Sequence, residues 1–172
     1  MNIYNNLLLF GKKETIKKIF DLISNDLVTS ETIDFKKLID LSEDQEHLFK
    51  VEGWDYNNSS GKDKWTIINK NKFSTIDLII ISKSQPLNEN LYNDLKNQFD
   101  VNSYLIYYNR VSDFDHNRTD CGGKINYNGI KFEDQQCVNS ELEFRIFLKQ
   151  FDDQLKKMIE HKEQKQLNYK VK

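Results

Sequence analysis

The chain has 172 residues, of which 38% are hydrophobic and 30% charged, which is typical of one soluble globular domain. Its net charge of −2 excludes a global positive field that would attract nucleic acid or anionic lipid. The longest apolar runs, Leu7–Phe10 and Leu78–Ile81, are far shorter than the ~20 residues that span a bilayer, and the N-terminus lacks a signal-peptide pattern. We therefore expect a cytoplasmic protein without a membrane partner.

Two further features of the composition concern redox state and origin. The only cysteines are Cys121 and Cys137, too few for a disulfide framework, so we expect two free thiols. The chain has no alanine, and lysine far outnumbers arginine. Such a composition indicates codon bias in an AT-rich genome, for example that of a low-GC bacterium or its phages.

The chain begins with a strand and a helix. The apolar segment Ile3–Phe10 predicts a strand. Within Lys13–Asn25 the apolar residues recur at i, i+3, i+4 and i+7, which predicts an amphipathic helix; they are Ile16, Ile19, Phe20 and Ile23. The segment Ile33–Leu41 follows, and we expect it to cover one edge of the core.

The middle of the chain contains both tryptophans. Trp54 and Trp65 flank the polar segment Asn57–Lys64, which contains turn-forming residues and predicts an exposed loop. We expect Lys64–Asn69 to enter a strand. The segment Phe73–Ile81 is rich in isoleucine and gives the strongest strand prediction in the chain.

The next part again alternates strand, helix and strand. Ser84 and Pro86 are suited to the start of a helix, and an apolar residue at every fourth position gives that helix a stripe, formed by Leu87, Leu91, Leu95 and Phe99. Val101–Asn109 predicts a strand, and Arg110–Gly123 predicts a polar loop in which Gly122 and Gly123 form a turn.

A hairpin and a helix end the chain. Asn128-Gly129 between two short alternating runs predicts a hairpin. Ser140 to Glu143 has the form of a capping box and opens a helix whose apolar stripe is Phe144, Phe147, Leu148, Phe151, Leu155 and Met158. From Lys162 the tail is charged, and we expect it to fray. These features predict one domain over residues 1–160 and a frayed tail over residues 161–172.

Two halves of strand, helix and strand predict an α+β fold, specifically a ferredoxin-like sandwich with an antiparallel sheet, helices on one face and an added C-terminal helix. The chain also resembles the YubB-type ferredoxin-like family of small phage and plasmid proteins. The similar segments are Asn6–Ile23, Ile33–Leu41, Gly61–Trp65, Phe73–Phe99 and Tyr107–Gly129. Ile80–Pro86 departs from the family pattern, since a tryptophan and one proline are missing. The resemblance implies a mobile-element setting and supplies no catalytic residue.

One cluster of polar residues is a candidate for metal chemistry. Asp113, Asp115, His116, Asp120 and Cys121 lie within nine positions. Carboxylates suit hard cations, and the histidine and cysteine suit zinc. However, no standard metal-binding spacing is present, and a solvated hairpin loop explains the cluster better.

The tryptophans and nearby lysines are candidates for nucleic-acid binding. Trp54 and Trp65 are able to stack on bases while Lys62 and Lys64 contact phosphates. The alternative is that both rings close the edge of the sheet.

A strand rich in tyrosine offers a second aromatic surface. Tyr104, Tyr107 and Tyr108 are similar to the aromatic strands with which some ferredoxin-like sheets bind RNA. The RNP1 pattern is absent, and packing of the tyrosines on one sheet face explains them better.

From these features we expect a non-catalytic phage or mobile-element protein that binds a host protein, in its concrete form an inhibitor of a bacterial defence system such as an anti-CRISPR. The expected binding residues are Trp54, Tyr56, Lys62, Lys64, Trp65, Asp113, Asp115 and Arg118. No catalytic residue, metal ligand or cofactor is assigned. Two alternatives stay open: a single-stranded nucleic-acid-binding module using the tryptophans, lysines and tyrosines, and a metal-dependent hydrolase centred on the aspartates and His116.

Overall fold

The computed structural model describes residues 2–25, 47–53, 63–83, 85–87, 96–109 and 119–171. The segment Ile33–Leu41 therefore lies outside the described residues. Most of the loops predicted over Asn57–Lys64 and Arg110–Gly123 also lies outside them. The elements in chain order are β1 (Asn2–Gly11), α1 (Lys13–Asn25), β2 (His47–Gly53), α2 (Asp63–Lys70), β3 (Ser74–Lys83), β4 (Asn102–Asn109), β5 (Thr119–Tyr127), β6 (Ile130–Val138) and α3 (Glu141–Val171). Residues 96–99 are also helical. None of the helices within the described residues is both long and apolar enough to cross a membrane.

The strands form one open sheet in the order β2-β3-β1-β4-β5-β6. Every neighbouring pair is antiparallel. In this order β3 lies between β1 and β2, and β1 lies between β3 and β4, whereas β4, β5 and β6 are neighbours in chain order. The prediction of an α+β fold with an antiparallel sheet and a C-terminal helix is confirmed.

Strand β1 lies in the middle of the sheet, between β3 and β4, and both of its faces are covered. Leu7, Leu8, Leu9 and Phe10 are fully buried, as expected for a continuous apolar run with helices on both sides. Leu8 and Phe10 belong to the same core cluster as the apolar side chains of α3. Leu7 and Leu9 point the opposite way because side chains alternate along a strand.

Helix α1 lies on the face that Leu7 and Leu9 share. It contacts β1 and β3, and its Ile16 and Ile19 are fully buried without belonging to the α3 cluster. The apolar face predicted for this helix is therefore confirmed at these two positions. The added helix α3 covers the other face of the sheet.

The C-terminal helix begins with one half of the predicted capping box, the bond to the Ser140 hydroxyl, while the Glu143 carboxylate bonds to the residue before Ser140. The Glu143 backbone N–H donates to Ser140 Oγ at 3.2 Å, and the Glu143 carboxylate accepts from the Asn139 backbone N–H at 2.7 Å. Phe147, Phe151 and Leu155 of the predicted stripe are buried. The helical backbone continues past Lys162 to Val171, and the fraying of this tail stays a prediction.

The predicted hairpin is also confirmed. Asn128 and Gly129 have φ angles of 50° and 83°, as a two-residue turn with both central residues in the left-handed region requires. Asn102 supports the turn by accepting a hydrogen bond from the Asn128 backbone N–H at 3.0 Å.

The prediction of a loop over Arg110–Gly123 is wrong from Thr119 onward, where β5 begins. Gly122 and Gly123 lie within this strand rather than in a turn. They provide space for aromatic rings on opposite faces of the sheet: a Cβ at Gly122 would collide with the Tyr107 ring, and one at Gly123 would lie 2.6 Å from Phe151. Glycine in a strand often marks such a close approach.

The prediction of a strand over Lys64–Asn69 is wrong, since these residues lie in helix α2. The β-branched residues Thr66, Ile67 and Ile68 favoured a strand. Ile67 and Ile68 are both buried in the cluster that includes α3. This tertiary burial outweighs a local preference worth only a few tenths of a kcal/mol per residue.

The tight contact at Gly123 makes a testable prediction. We expect Gly123→Ala to lower the free energy of unfolding by about 1–3 kcal/mol, because the new methyl group must displace Phe151 or Ile106. Gly11→Ala is the matched control, since the nearest atom to its added Cβ is 4.0 Å away. Urea denaturation measures both changes. Equal stability of the two variants would contradict the packing described here.

Candidate functional site

A surface pocket of about 350 Å³ lies between the sheet and the helices α2 and α3. Its floor comes from β1 and β4, one wall comes from α3, and the start of α2 completes the lining. We name it the aromatic pocket, and define it by the lining residues Tyr4, Asn5, Asn6, Lys64, Tyr104, Ile106, Tyr108, Phe144, Leu148 and Asp152.

The register of two strands places four residues that line the aromatic pocket on one face of the sheet. Tyr4 pairs with Tyr108, and Asn6 pairs with Ile106. Residues directly opposite each other in an antiparallel pair point to the same face, so these four side chains share the face that α3 covers. On α3, lining residues recur at every fourth position, which places them on one side of the helix.

Three aromatic rings form the rim. The Tyr4 and Tyr108 rings are stacked with their centroids 5.7 Å apart, and the Phe144 ring meets Tyr108 edge-on at 5.1 Å. All three residues are half-buried. The rim therefore offers aromatic surface that is fixed in orientation and still partly accessible to a ligand.

A cation and an anion meet at Tyr104 in the floor. The Lys64 ammonium lies 5.2 Å from the centroid of the Tyr104 ring, within the range of a cation–π interaction. The Tyr104 hydroxyl donates a hydrogen bond of 2.5 Å to Asp152 Oδ1. One buried tyrosine thus holds a positive group at its face and a negative group at its hydroxyl.

The environment of Tyr104 fixes its protonation state. Burial raises the pKa of its hydroxyl well above 10.0, and the charge of Asp152 and the hydrogen bond to it raise this pKa further. All three effects disfavour the phenolate. At neutral pH Tyr104 is therefore a hydrogen-bond donor and not a general base.

Lys64 is the one residue of the predicted site whose side chain the structure describes. It lies in the same pocket as Tyr104 and Tyr108 of the tyrosine strand. Trp65 lies in α2, and its side chain is outside the described part of the chain. The remaining predicted residues are also outside it: Trp54, Tyr56, Lys62, Asp113, Asp115 and Arg118.

Sequence reasoning missed Tyr4, Phe144 and Asp152 as pocket residues. A signal for Asp152 was available, because it follows Phe144 and Leu148 at four-residue intervals and interrupts the apolar side of α3. A charge at such a position predicts a polar contact beneath the helix. The position of Asp152 on the helix does not indicate that Tyr104 is the residue it contacts.

The two cysteines lie on β5 and β6, away from the aromatic pocket, and both are free thiols as predicted. The Cys137 thiol donates a hydrogen bond of 2.6 Å to Asp120 Oδ1. Burial raises the pKa of the Cys121 thiol to about 11, with a smaller contribution from Cys137. The described residues contain no group of three side chains able to hold a metal ion, and Asp113, Asp115 and His116 lie outside them, so the metal-site hypothesis is untested.

The Tyr104–Asp152 hydrogen bond makes a prediction about pH. We expect Tyr104→Phe to lower the free energy of unfolding by about 1–3 kcal/mol at pH 8, because Asp152 loses its donor while the ring is retained. The folded pKa of Tyr104 lies above its unfolded value, so its contribution to stability is complete below pH 10 and decreases as the pH rises further.

Urea denaturation of both proteins between pH 8 and pH 11.5 tests this prediction. We expect the difference in stability between wild type and Tyr104→Phe to shrink above pH 10. A difference that stays constant over the whole range would show that the ionisation of Tyr104 is not linked to folding.

Searches of protein-family models, of curated protein sequences and of solved structures each returned no significant match. The similarity to the YubB-type family therefore stays a resemblance based on the segments named above.

Proposed function

We propose that this chain is a non-catalytic binding protein of a phage or another mobile element, and that it binds a host protein through the aromatic pocket. The concrete form of the proposal is an inhibitor of a bacterial defence system, as an anti-CRISPR protein is. The observation that carries it is the half-buried rim of Tyr4, Tyr108 and Phe144, since tyrosine and other aromatic residues are enriched at protein interfaces.

Charge and composition support this proposal. Lys64 and Asp152 place both signs of charge inside the rim, and charges within an interface favour one partner and one orientation over others. The codon bias inferred from the absence of alanine and the resemblance to small phage and plasmid proteins support the mobile-element setting.

We also propose that the first four strands form a ferredoxin-like unit. In the observed order, β1 and β2 are parallel and separated by β3, while β3 and β4 are parallel and separated by β1. Two such interleaved connections form the split βαβ arrangement of that fold. The β5–β6 hairpin and α3 are then additions at one edge and on one face.

Capture from the lysate of a low-GC bacterium tests the host-protein proposal. We expect wild-type protein to capture one host protein in stoichiometric amount, and Tyr108→Ala to capture at least tenfold less. Truncating an aromatic hot-spot residue costs about 2 kcal/mol or more, on the order of a thirtyfold change in affinity.

The matched control is Ile146→Ala, which removes a half-exposed apolar side chain of α3 that does not line the pocket. Circular dichroism confirms that both variants are folded, and gel filtration of the purified pair confirms a complex. Equal capture by wild type and Tyr108→Ala would exclude the aromatic pocket as the binding site.

A second candidate function is single-stranded nucleic-acid binding. The observation that favours it is the position of Lys64, which shares one pocket with Tyr104 and Tyr108. A lysine beside aromatic rings is the combination that contacts a phosphate while a base stacks. Binding of this kind requires a positive group at the pocket, and it does not require a positive net charge on the whole chain.

Fluorescence polarisation with single-stranded oligonucleotides tests the second candidate. We expect affinity to fall as salt rises, and Lys64→Gln to reduce the slope of log K against log salt concentration by about 0.7, the contribution of one phosphate contact. Lys149→Gln, an exposed lysine of α3, is the control and leaves the slope unchanged. No binding at low salt would remove this candidate.

A further inference from the structure

We propose that one end of the sheet binds the phosphate backbone of a nucleic acid, independently of its sequence. At this end β1 and β5 finish, and β3, β4 and β6 begin. We name this surface the lysine end, after the six lysines on the segments that meet there: Lys12, Lys13, Lys70, Lys72, Lys96 and Lys131. None of them lines the aromatic pocket, so the inference rests on neither of the functions proposed for that pocket.

The strand register brings these lysines side by side. The end of β1 pairs with the start of β3, so Lys12 and Lys72 lie on adjoining turns. Lys131 lies at the start of β6 and pairs with Asn126 of β5. Strands β3, β1, β4, β5 and β6 are consecutive in the sheet, and four spacings of about 4.8 Å place the lysines along a row of roughly 19 Å.

Two of the lysines share the corner formed by the β5–β6 hairpin. The Lys96 ammonium donates to Asn126 Oδ1 at 3.3 Å, and a Cβ added at Gly129 would lie 3.1 Å from the same nitrogen. Lys131 pairs with Asn126, so these two side chains point to the same face of the sheet. The amide that Lys96 contacts is neutral and does not compensate its charge, and the ammonium has further donors for an anion.

Hydrogen bonds fix the backbone that carries the lysines. The Lys12 carbonyl accepts from the Ile16 N–H at 3.0 Å, and the Lys96 carbonyl accepts from the Asp100 N–H at 2.9 Å. The Lys72 N–H donates to a carbonyl in the last turn of α2 at 3.0 Å. A surface whose backbone is ordered before binding loses less entropy when it binds.

The lysine end has an excess of positive charge. Among the described residues at this end, the six lysines are accompanied by two acidic residues, Glu14 and Asp100, although the net charge of the whole chain is −2. Lys12, Lys72 and Lys131 are exposed and form no ion pair with any described residue. Their charges are therefore available to an anion.

A row of ammonium groups fits a phosphate backbone better than a lipid surface. Duplex DNA carries one negative charge per ~1.7 Å of its axis, so a row of this length faces several phosphates at once. Proteins that lie on membranes combine lysines with several inserted apolar side chains, whereas Ile130 is the only large apolar side chain exposed at the lysine end within the described residues. Asn97 and Asn128 are also exposed there and add amide donors of the kind that bind phosphate oxygens.

Fluorescence polarisation with short duplex DNA between about 50 and 200 mM salt tests the proposal. We expect affinity to fall as salt rises, and Lys12→Gln and Lys131→Gln each to reduce the slope of log K against log salt concentration by about 0.9, the contribution of one phosphate contact to a duplex. The matched control is Lys149→Gln, which removes the same charge from an exposed position on α3 and is expected to keep the slope. Lys64→Gln is also expected to keep it, which separates the lysine end from the aromatic pocket.

Several results would overturn the proposal. Absence of binding to duplex DNA at the lowest salt is one, and an equal loss of slope in Lys149→Gln is another, because it indicates a diffuse effect of net charge. Loss of slope in Lys64→Gln alone would move the phosphate contact to the aromatic pocket. Vesicles of phosphatidylserine and phosphatidylcholine are the second probe, and binding to them without binding to DNA would assign the lysine end to a membrane surface. Capture of a host protein is a separate measurement, and its failure leaves this inference unaffected.

Discussion

The fold depends on the burial of β1 on both of its faces. Leu7 to Phe10 are fully inaccessible to solvent, which requires a helical layer on each side of the sheet. Helix α1 supplies one layer and α3, assisted by α2, supplies the other. A chain lacking α3 would expose the apolar face formed by Leu8, Phe10 and their neighbours, so this helix is part of the core and not an appendage.

The aromatic pocket arises where the layer formed by α2 and α3 does not close completely. The α3 side chains Phe144, Leu148 and Asp152 stand on one side of the opening, and Lys64 lies at the first turn of α2. The floor contains tyrosine and asparagine as well as isoleucine, so it combines apolar surface with polar groups. Sites with this mixture are the usual positions of ligand binding in folded domains.

Sequence periodicity was sufficient to predict β1, α1, β3, β4, the Asn-Gly turn and the stripe of α3, because each is determined by nearby residues. Periodicity failed where contacts between distant residues determine the local structure. Ile67 and Ile68 are helical because they pack against α3. Gly122 and Gly123 lie in a strand, where the Tyr107 and Phe151 rings occupy the space beside them. Strand β2 was missed, although Phe49-Lys50-Val51-Glu52 alternates apolar and charged residues, because an alternation over only four residues is a weak signal. Of the pocket, only Lys64, Tyr104 and Tyr108 were recognised, because Asp152 contacts Tyr104 across 48 residues of sequence and Phe144 contacts Tyr108 across 36.

The last strand of the sheet has a consequence for solubility. Strand β6 pairs with β5 and ends the sheet order within the described residues, so no strand in this part of the chain pairs with its outer edge. Edges of this kind promote aggregation unless they are protected. Lys131, Glu133 and Asp134 are exposed along β6, and inserting a neighbouring strand would require these charges to lose water. The hairpin therefore extends the sheet while it discourages growth into fibrillar assemblies at high protein concentration.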